Sequence, residues 1–429
     1  MTCKPAASVK LPRTLKMLKR LICLLLATAL CLSSACAVSR DELRTAYREI
    51  ADRRSGESLY AEDPDPIGCT SVGSLTEAAQ QEALDYLNFL RWIAGLNPVT
   101  RSPLYSLRSQ NAALLLAAND EISHSPDQPA QMDDALYESA LLGTSQGNLA
   151  KFNWMRPEIL LDGVEYFARD DGSMNLSVLG HRRWLLNPAM AETGFGLANA
   201  ASGMSYGVMY AVDEGGSSIP WDRVCWPAQG AFPVELMRSQ IAWSVSLNDG
   251  IYDLSVSTPV IELTEVVSGS RFAFDLASAS GDGFCYLSTE ACGSGSCLIF
   301  RPDLSGAGLN EYLQNQVWDV RIGGLVGVDG SDKSIEYRVE MVSLYPQDPV
   351  NVELSQVEAN LRVGGMLQLT AEVVPAYADD LRVTWTSSNP SVADVDWTGV
   401  VTAHAAGSCE IRATSVNGRS DVCTVTVTE

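Results

Sequence analysis

The chain has 429 residues, of which 30 are Lys or Arg and 52 are Asp or Glu, giving a formal charge of −22. At 46% apolar and 19% charged it can bury sizeable cores, which excludes a wholly disordered or low-complexity protein. The acidic balance excludes nucleic acid as the main partner, because phosphate binding needs a basic surface. Only three histidines, His124, His181 and His404, are available for imidazole chemistry.

Residues 1–37 read as an export signal. Lys4, Lys10, Arg13, Lys16, Lys19 and Arg20 precede the apolar run from Leu21 to Leu32, and Ala35-Cys36-Ala37 offers a small-residue cleavage site. The run is short for a bilayer span of about 20 residues. Leu32-Ser33-Ser34-Ala35-Cys36 is one residue too long for a good lipoprotein box, so lipid on Cys36 is the lesser alternative. Removing the leader leaves 24 basic against 52 acidic residues, or −28. Seven cysteines follow it, an odd number that leaves one thiol unpaired. Cys292 and Cys297 flank a Gly-Ser loop that a disulfide can staple. Cys409 and Cys423 fall out of register on adjacent expected strands and read as buried thiols. No C-x-x-C pair points to zinc.

Residues 38–72 predict a short helix near 40–53 and then a turn-rich linker. Helices and strands share 73–212. After Ser74-Leu75-Thr76-Glu77, a helix start, Leu84, Leu87, Phe89, Leu90 and Ile93 recur at helical spacing until Gly95. A second helix runs from about Pro103 to Ile122 on a stripe of Leu107, Ala112, Leu115 and Leu116. Beyond residue 193 the period becomes that of strands, at 194–198 and 206–210, so the unit is α+β. Across 213–346, alternating runs at 242–247, 271–276, 317–322 and 335–342 predict an all-β, sandwich-like module. Within it, Trp221 and Trp226 bracket Cys225 and read as junction packing. Pro346-Gln347-Asp348-Pro349 is a linker.

Residues 350–429 alternate apolar and polar side chains through Leu367-Gln368-Leu369-Thr370-Ala371, Val383-Thr384-Trp385 and Val425-Thr426-Val427, so each strand has one buried face. The stretch resembles the bacterial immunoglobulin-like group 2 domain. That resemblance implies an Ig-like β-sandwich serving as a surface spacer or adhesion module, with Trp385 in its core and His404 in a solvated turn.

The motifs of 73–212 occur in a fixed order. Leu87-Asn88-Phe89-Leu90-Arg91 comes first, then Asn119-Asp120-Glu121-Ile122-Ser123-His124, then Ser145-Gln146-Gly147-Asn148-Leu149, then Gly180-His181-Arg182-Arg183-Trp184. Together they resemble the CAP superfamily, named for cysteine-rich secretory, antigen and pathogenesis-related proteins, in its bacterial secreted branch. The resemblance implies an α-β-α sandwich with an open cleft where many members place two His and two acids. His124 and His181 match the two histidines, and Asp170 matches the second acid. Gly147 stands where many members carry Glu, and the neighbouring Gln146 supplies only an amide.

His124, His181 and Asp170 are therefore the cleft candidates, with Gln146 beside them. Two imidazoles and a carboxylate can hold a zinc-like divalent ion, or one imidazole can act as a general base. The plainer reading is a cleft that binds without chemistry. Asn88 and Arg91, one turn apart on a helix, and Asn148 read as a buried supporting network. Gly143-Thr144-Ser145-Gln146-Gly147 fits the G-x-S-x-G nucleophile pattern but follows no strand. Asp170-Asp171-Gly172 reads as a polar turn, since it lacks a calcium loop's later bidentate acid.

Two function classes follow. The favoured one is an exported envelope or extracellular protein that binds a small ligand, a peptide or a wall or host surface component in the cleft, displayed on β-modules. The alternative is a metal- or His-assisted hydrolase of peptide or cell-wall polymer. The missing acid at Gly147 favours the first.

Overall fold

Local caps start the first two helices. In the computed structural model, which describes residues 37–54, 56–172, 175–276 and 283–429, Ser39 and Glu42 form a reciprocal capping box. It opens α1 (Arg40–Ala51), close to the expected 40–53. The leader and its Cys36 lie outside the described residues. The linker that follows holds a small hairpin, β1 (Tyr60–Glu62) with β2 (Ser74–Leu75). Thr76 then accepts the Ala79 N–H and opens α2 (Glu77–Ile93), and Gly95 closes it at φ +76°.

After β3 (Thr100–Arg101) comes α3 (Pro103–Asn119). Here one expectation fails: Leu107 is 54% exposed, while Ala112 to Leu116 are all buried. The helix is covered on several sides, by α4 (Asp134–Ser145) and by a sheet, so its burial follows no single stripe. That sheet is antiparallel, formed by β4 (Gly147–Phe152), β6 (Phe195–Asn199) and β7 (Ser205–Tyr210) in the order 4-7-6. Between its strands in the chain lie α5 (Ile159–Arg169), α6 (Gly180–Leu185) and β5 (Glu192–Thr193). Strand alternation divides the sheet's side chains. Leu149, Ala198, Tyr206 and Val208 meet α3, whereas Ala150, Phe152, Leu197 and Met209 join the core that holds α2 and α5. The layers run helix, sheet, helix.

The next stretch is strands joined by turns. Its first elements are β8 (Arg223–Trp226), β9 (Gly230–Pro233), β10 (Trp243–Leu247), β11 (Val260–Glu265) and β12 (Arg271–Asp275). They continue with β13 (Gly283–Ser288), β14 (Cys297–Pro302), β15 (Val317–Val326) and β16 (Asp332–Val342). These make a four-stranded sheet (13-14-10-8) and a five-stranded sheet (12-11-15-16-9). Trp243 packs on Trp318 and Phe300 on Phe274, joining the sheets face to face. One apolar core runs without a break from Leu43 in α1 to Leu344. Cys297 is fully buried in β14 and unbonded to Cys292, so the expected staple is absent.

The last nine strands are β17 (Asn351–Leu354), β18 (Glu358–Arg362), β19 (Met366–Gln368), β20 (Ala371–Val374), β21 (Val383–Ser387), β22 (Ala393–Val395), β23 (Val400–Ala403), β24 (Gly407–Ser415) and β25 (Ser420–Thr428). They enclose a separate core around Leu369, Val401, Ile411 and Val425, against which Trp385 packs half-buried. Cys423 faces Ile411 and Cys409 faces Val425, two rungs apart, and both are buried free thiols.

Asp379 joins this module to the rest. Its carboxylate accepts from Arg44 (2.7 Å), Gln314 (2.5 Å) and the Gln347 N–H (2.9 Å), while Arg40 bonds Asn315 and Glu340. Burial opposes the Asp379 charge, yet Arg44, the Gln347 N–H and Gln314 hold its pKa below the ordinary value. A lowered folded pKa stabilises above the unfolded value of about 3.9 and is lost as pH falls through the folded one. Asp379→Asn is therefore expected to cost about 1–2 kcal/mol at pH 7 and much less at pH 2. Urea unfolding at both pH values checks this; an equal cost at both would remove Asp379 as the hub.

Candidate functional site

Asp170 ends α5 in the left-handed region, φ +46°, which stops the helix and turns its carboxylate inward. Only 3% exposed, it accepts from the Arg182 N–H (3.1 Å), Asn175 Nδ2 (2.5 Å) and His181 Nδ1 (3.0 Å). An ionised carboxylate only accepts, so Nδ1 of His181 carries a proton, and in the neutral imidazole Nε2 is then the acceptor. Asn175 Nδ2 gives one of its two hydrogens to Asp170 and also lies 3.3 Å from Nδ1. Phe167 and Tyr166 flank the imidazole at 5.3 and 6.0 Å between centroids. The result is a partly exposed base with a fixed tautomer.

His124 is held differently. Its Nδ1–H donates to the Thr144 carbonyl at 2.7 Å, and the Thr144 hydroxyl donates back to the His124 carbonyl. Four residues on, Asn148 Nδ2 donates to the carbonyl of His181 at 2.9 Å. Segment 144–148 thus holds both histidines, and neither spends Nε2 on its Nδ1 partner.

The trio His124, His181 and Asp170, considered as possible holders of a zinc-like ion, does not gather as a three-ligand cluster among the described residues. Asp170 gives both oxygens to protein donors, and among the described residues no three His, Cys, Asp or Glu side chains gather as a metal site. Gln146 is occupied too, its side-chain oxygen accepting from the Tyr210 hydroxyl. Tyr210 stacks on Tyr105 at 3.9 Å, and Tyr105 donates to Asp213. Ser145, the rival nucleophile, ends α4 and bonds the Leu142 carbonyl of its own helix, with no histidine beside it in the hydrogen-bond network. A nucleophile elbow needs a strand before the serine, which is missing here.

Gly147 is more than a missing acid. A Cβ there would meet the Gly143 carbonyl oxygen at 2.6 Å and a Val208 methyl at 2.9 Å. Any side chain there would force the backbone to shift.

Asn88 exchanges two hydrogen bonds with the backbone of Val99, and buried Arg91 donates to the carbonyls of Asn97, Leu185, Asn187 and Met190. Burial lowers the Arg91 pKa to about 10. Sequence reasoning passed over the next two arginines as anchors. Arg182 is buried, donates to the carbonyls of Ala168, Arg169 and Ala242 and to Ser244 Oγ, and lies over the Trp226 ring at 5.9 Å. Arg183 reaches the carbonyls of Val178, Glu290, Ser294 and Gly295. The available signal was two adjacent guanidinium groups followed by Trp184-Leu185-Leu186, with no nearby acid.

An open cleft of about 370 Å³ lies where α1, α2 and α5 meet. Tyr47, Arg54, Tyr86, Arg156, Glu158, Leu161, Asp162 and Glu165 line it. Tyr86 donates to Glu165, and Arg156 grips Asp162.

Residues 350–427 match the model of the bacterial Ig-like domain, group 2. Among curated proteins the chain is similar to a lacto-N-biosidase of Bifidobacterium bifidum, 51% identical over 70 residues. The match takes in 16% of this chain and 6% of that protein. It is also similar to an A type blood N-acetyl-alpha-D-galactosamine deacetylase of Flavonifractor plautii, 28% identical over 170 residues, or 37% of this chain and 21% of that one. The chain thus spans only a small part of these relatives. Among solved structures, an intimin mutant of EHEC O157:H7 aligns with 18% of this chain and 45% of its own at 23% identity and a TM-score of 0.16.

Proposed function

We propose that this is an exported CAP-like protein that binds a ligand at the His181 cleft without transforming it and is held at the cell surface or outside the cell beside its Ig-like module. The helix–sheet–helix layering and the ordered motifs around both histidines support the CAP reading. The Ig-like match supports an extracellular setting. The observation that carries the binding role is the His181–Asp170 pair, an imidazole with its acceptor nitrogen fixed and partly exposed. No serine, and no third metal ligand among the described residues, is joined to it.

The same pair favours one second reading, a hydrolase in which His181 activates water as general base, because a buried carboxylate orienting Nδ1–H is the arrangement such a base needs. One experiment separates them. Purified chain is mixed with insoluble cell-wall sacculi, and both retention and release of soluble fragments are measured. Retention without release is expected, falling about tenfold in His181→Ala, equivalent to about 1.4 kcal/mol, with the melting temperature kept. Fragment release abolished in His181→Ala would overturn the binding reading and establish the hydrolase. Retention unchanged in His181→Ala would overturn both.

A further inference from the structure

Nothing local favours the turn that delivers His181. Leu179 is the N-cap of α6, yet it lies at φ +51° and ψ +46° and makes no side-chain cap hydrogen bond. N-caps favour Ser, Thr, Asp or Asn in extended backbone, and the left-handed region is sterically costly for any residue with a Cβ. Such a conformation persists only where the surroundings impose it. The Leu179 N–H closes the turn by donating to the Asn175 carbonyl at 2.7 Å, and its own carbonyl accepts from the Arg183 N–H at 3.0 Å. On one side of the turn Asn175 Nδ2 meets Asp170, and on the other His181 Nδ1 meets the same carboxylate.

The β-sandwich supplies the constraint. Along β14, Leu298 and Phe300 point between the two sheets, so Cys297 and Ile299 point the other way. Leu179 is fully buried in one cluster with those two side chains and Ala242. Arg183 clamps the same turn, donating to the Val178 carbonyl at 3.2 Å and to Ser288 Oγ in β13 at 3.0 Å. The loop after β13 comes so close that a Cβ on Gly293 would lie 2.6 Å from the Arg183 carbonyl oxygen. We infer that the β-sandwich is the positioning half of the His181 site: Leu179 and Arg183, seated on it, hold Asn175 and His181 to Asp170. Only the consequence for a ligand rests on the reading of the preceding subsection.

NMR of the purified chain with isotope-labelled histidine tests this, because the three imidazoles give separate signals and two of them serve as internal controls. In the unaltered protein, neutral His181 is expected as a single tautomer protonated at Nδ1, with that proton slow to exchange. Ile299→Ala trims the seat of Leu179 from the sandwich side and leaves every residue of the helical layer unchanged. It should speed exchange of the His181 Nδ1 proton about fivefold to thirtyfold, the ratio set by releasing one left-handed residue. His124 and His404 should keep their signals. Val339→Ala, an equally buried change in the five-stranded sheet, controls for general loss of stability and should leave His181 as it was. Near-UV circular dichroism shows that each variant is folded; if Ile299→Ala is not, Ile299→Val is read the same way, with a smaller change in the same direction. A folded Ile299 variant with unaltered His181 signals, or an equal effect from Val339→Ala, would overturn the proposal. If Ile299→Ala disturbs His181 yet keeps full sacculus retention, the positioning stands and the binding reading falls. If the His181 signals are unaltered while His181→Ala loses retention, the binding reading stands and the positioning falls.

Discussion

Arg182→Met is expected to destabilise the protein by about 3–5 kcal/mol, the cost of breaking a buried charged network from one side. Methionine fills much of the same space, so the loss measures hydrogen bonding rather than a cavity. The carbonyls of Ala168, Arg169 and Ala242 all accept from this one guanidinium and would be stranded in a region from which water is excluded. Ala168 and Arg169 end α5, whereas Ala242 immediately precedes β10 and Ser244 lies in it. The guanidinium thus ties the helical layer to the β-sandwich across one continuous core. With whole-domain stabilities of about 5–15 kcal/mol, the variant should melt far earlier, and the helical part should loosen before the sandwich. Arg182→Lys is expected to rescue little, because an ammonium cannot reach four acceptors in a planar fork. Urea unfolding of the three proteins checks this; a loss under 1 kcal/mol for Met would show that the network contributes little net stability.

Arg182 also marks where sequence reading stops. Helix starts at Ser39 and Thr76 were legible because a cap is a local event, decided by residues three apart. The Ig-like stretch was legible because strands with one buried face repeat every second residue. Asp170 was found as a candidate acid, but not its saturation by protein donors. Its partners are Asn175, His181 and Arg182, and they converge only because the chain turns left-handed at both Asp170 and Leu179. The acceptors of Arg182 and Arg183 lie up to 112 residues away, beyond any periodicity. Leu107 failed for the opposite reason: a helix covered on several sides has no stripe to read.

The closure of position 147 gives the last test, and it bears on function. If Gly147 were simply a lost acid, Gly147→Glu would restore the carboxylate common in the resembled family and with it a third or fourth ligand for a divalent ion. The packing predicts otherwise. The new Cβ would press on the Gly143 carbonyl, which is backbone at the end of α4, and on a Val208 methyl in the paired strand. The carbonyl cannot give way without moving the adjoining segment 144–148, which holds His124 and His181. Overpacking of this kind costs about 1–3 kcal/mol, and a carboxylate placed there without a donor adds a desolvation penalty. Gly147→Glu is therefore expected to lower stability by about 2–4 kcal/mol, to gain no zinc-dependent rise in melting temperature, and to weaken sacculus retention by disturbing both histidines. Gly147→Ala should share most of the destabilisation, since the clash lies at Cβ. A Glu variant that folds normally and is stabilised by zinc would mean that the cleft is an idle metal site. The binding-only reading of His181 would then give way to the hydrolytic one.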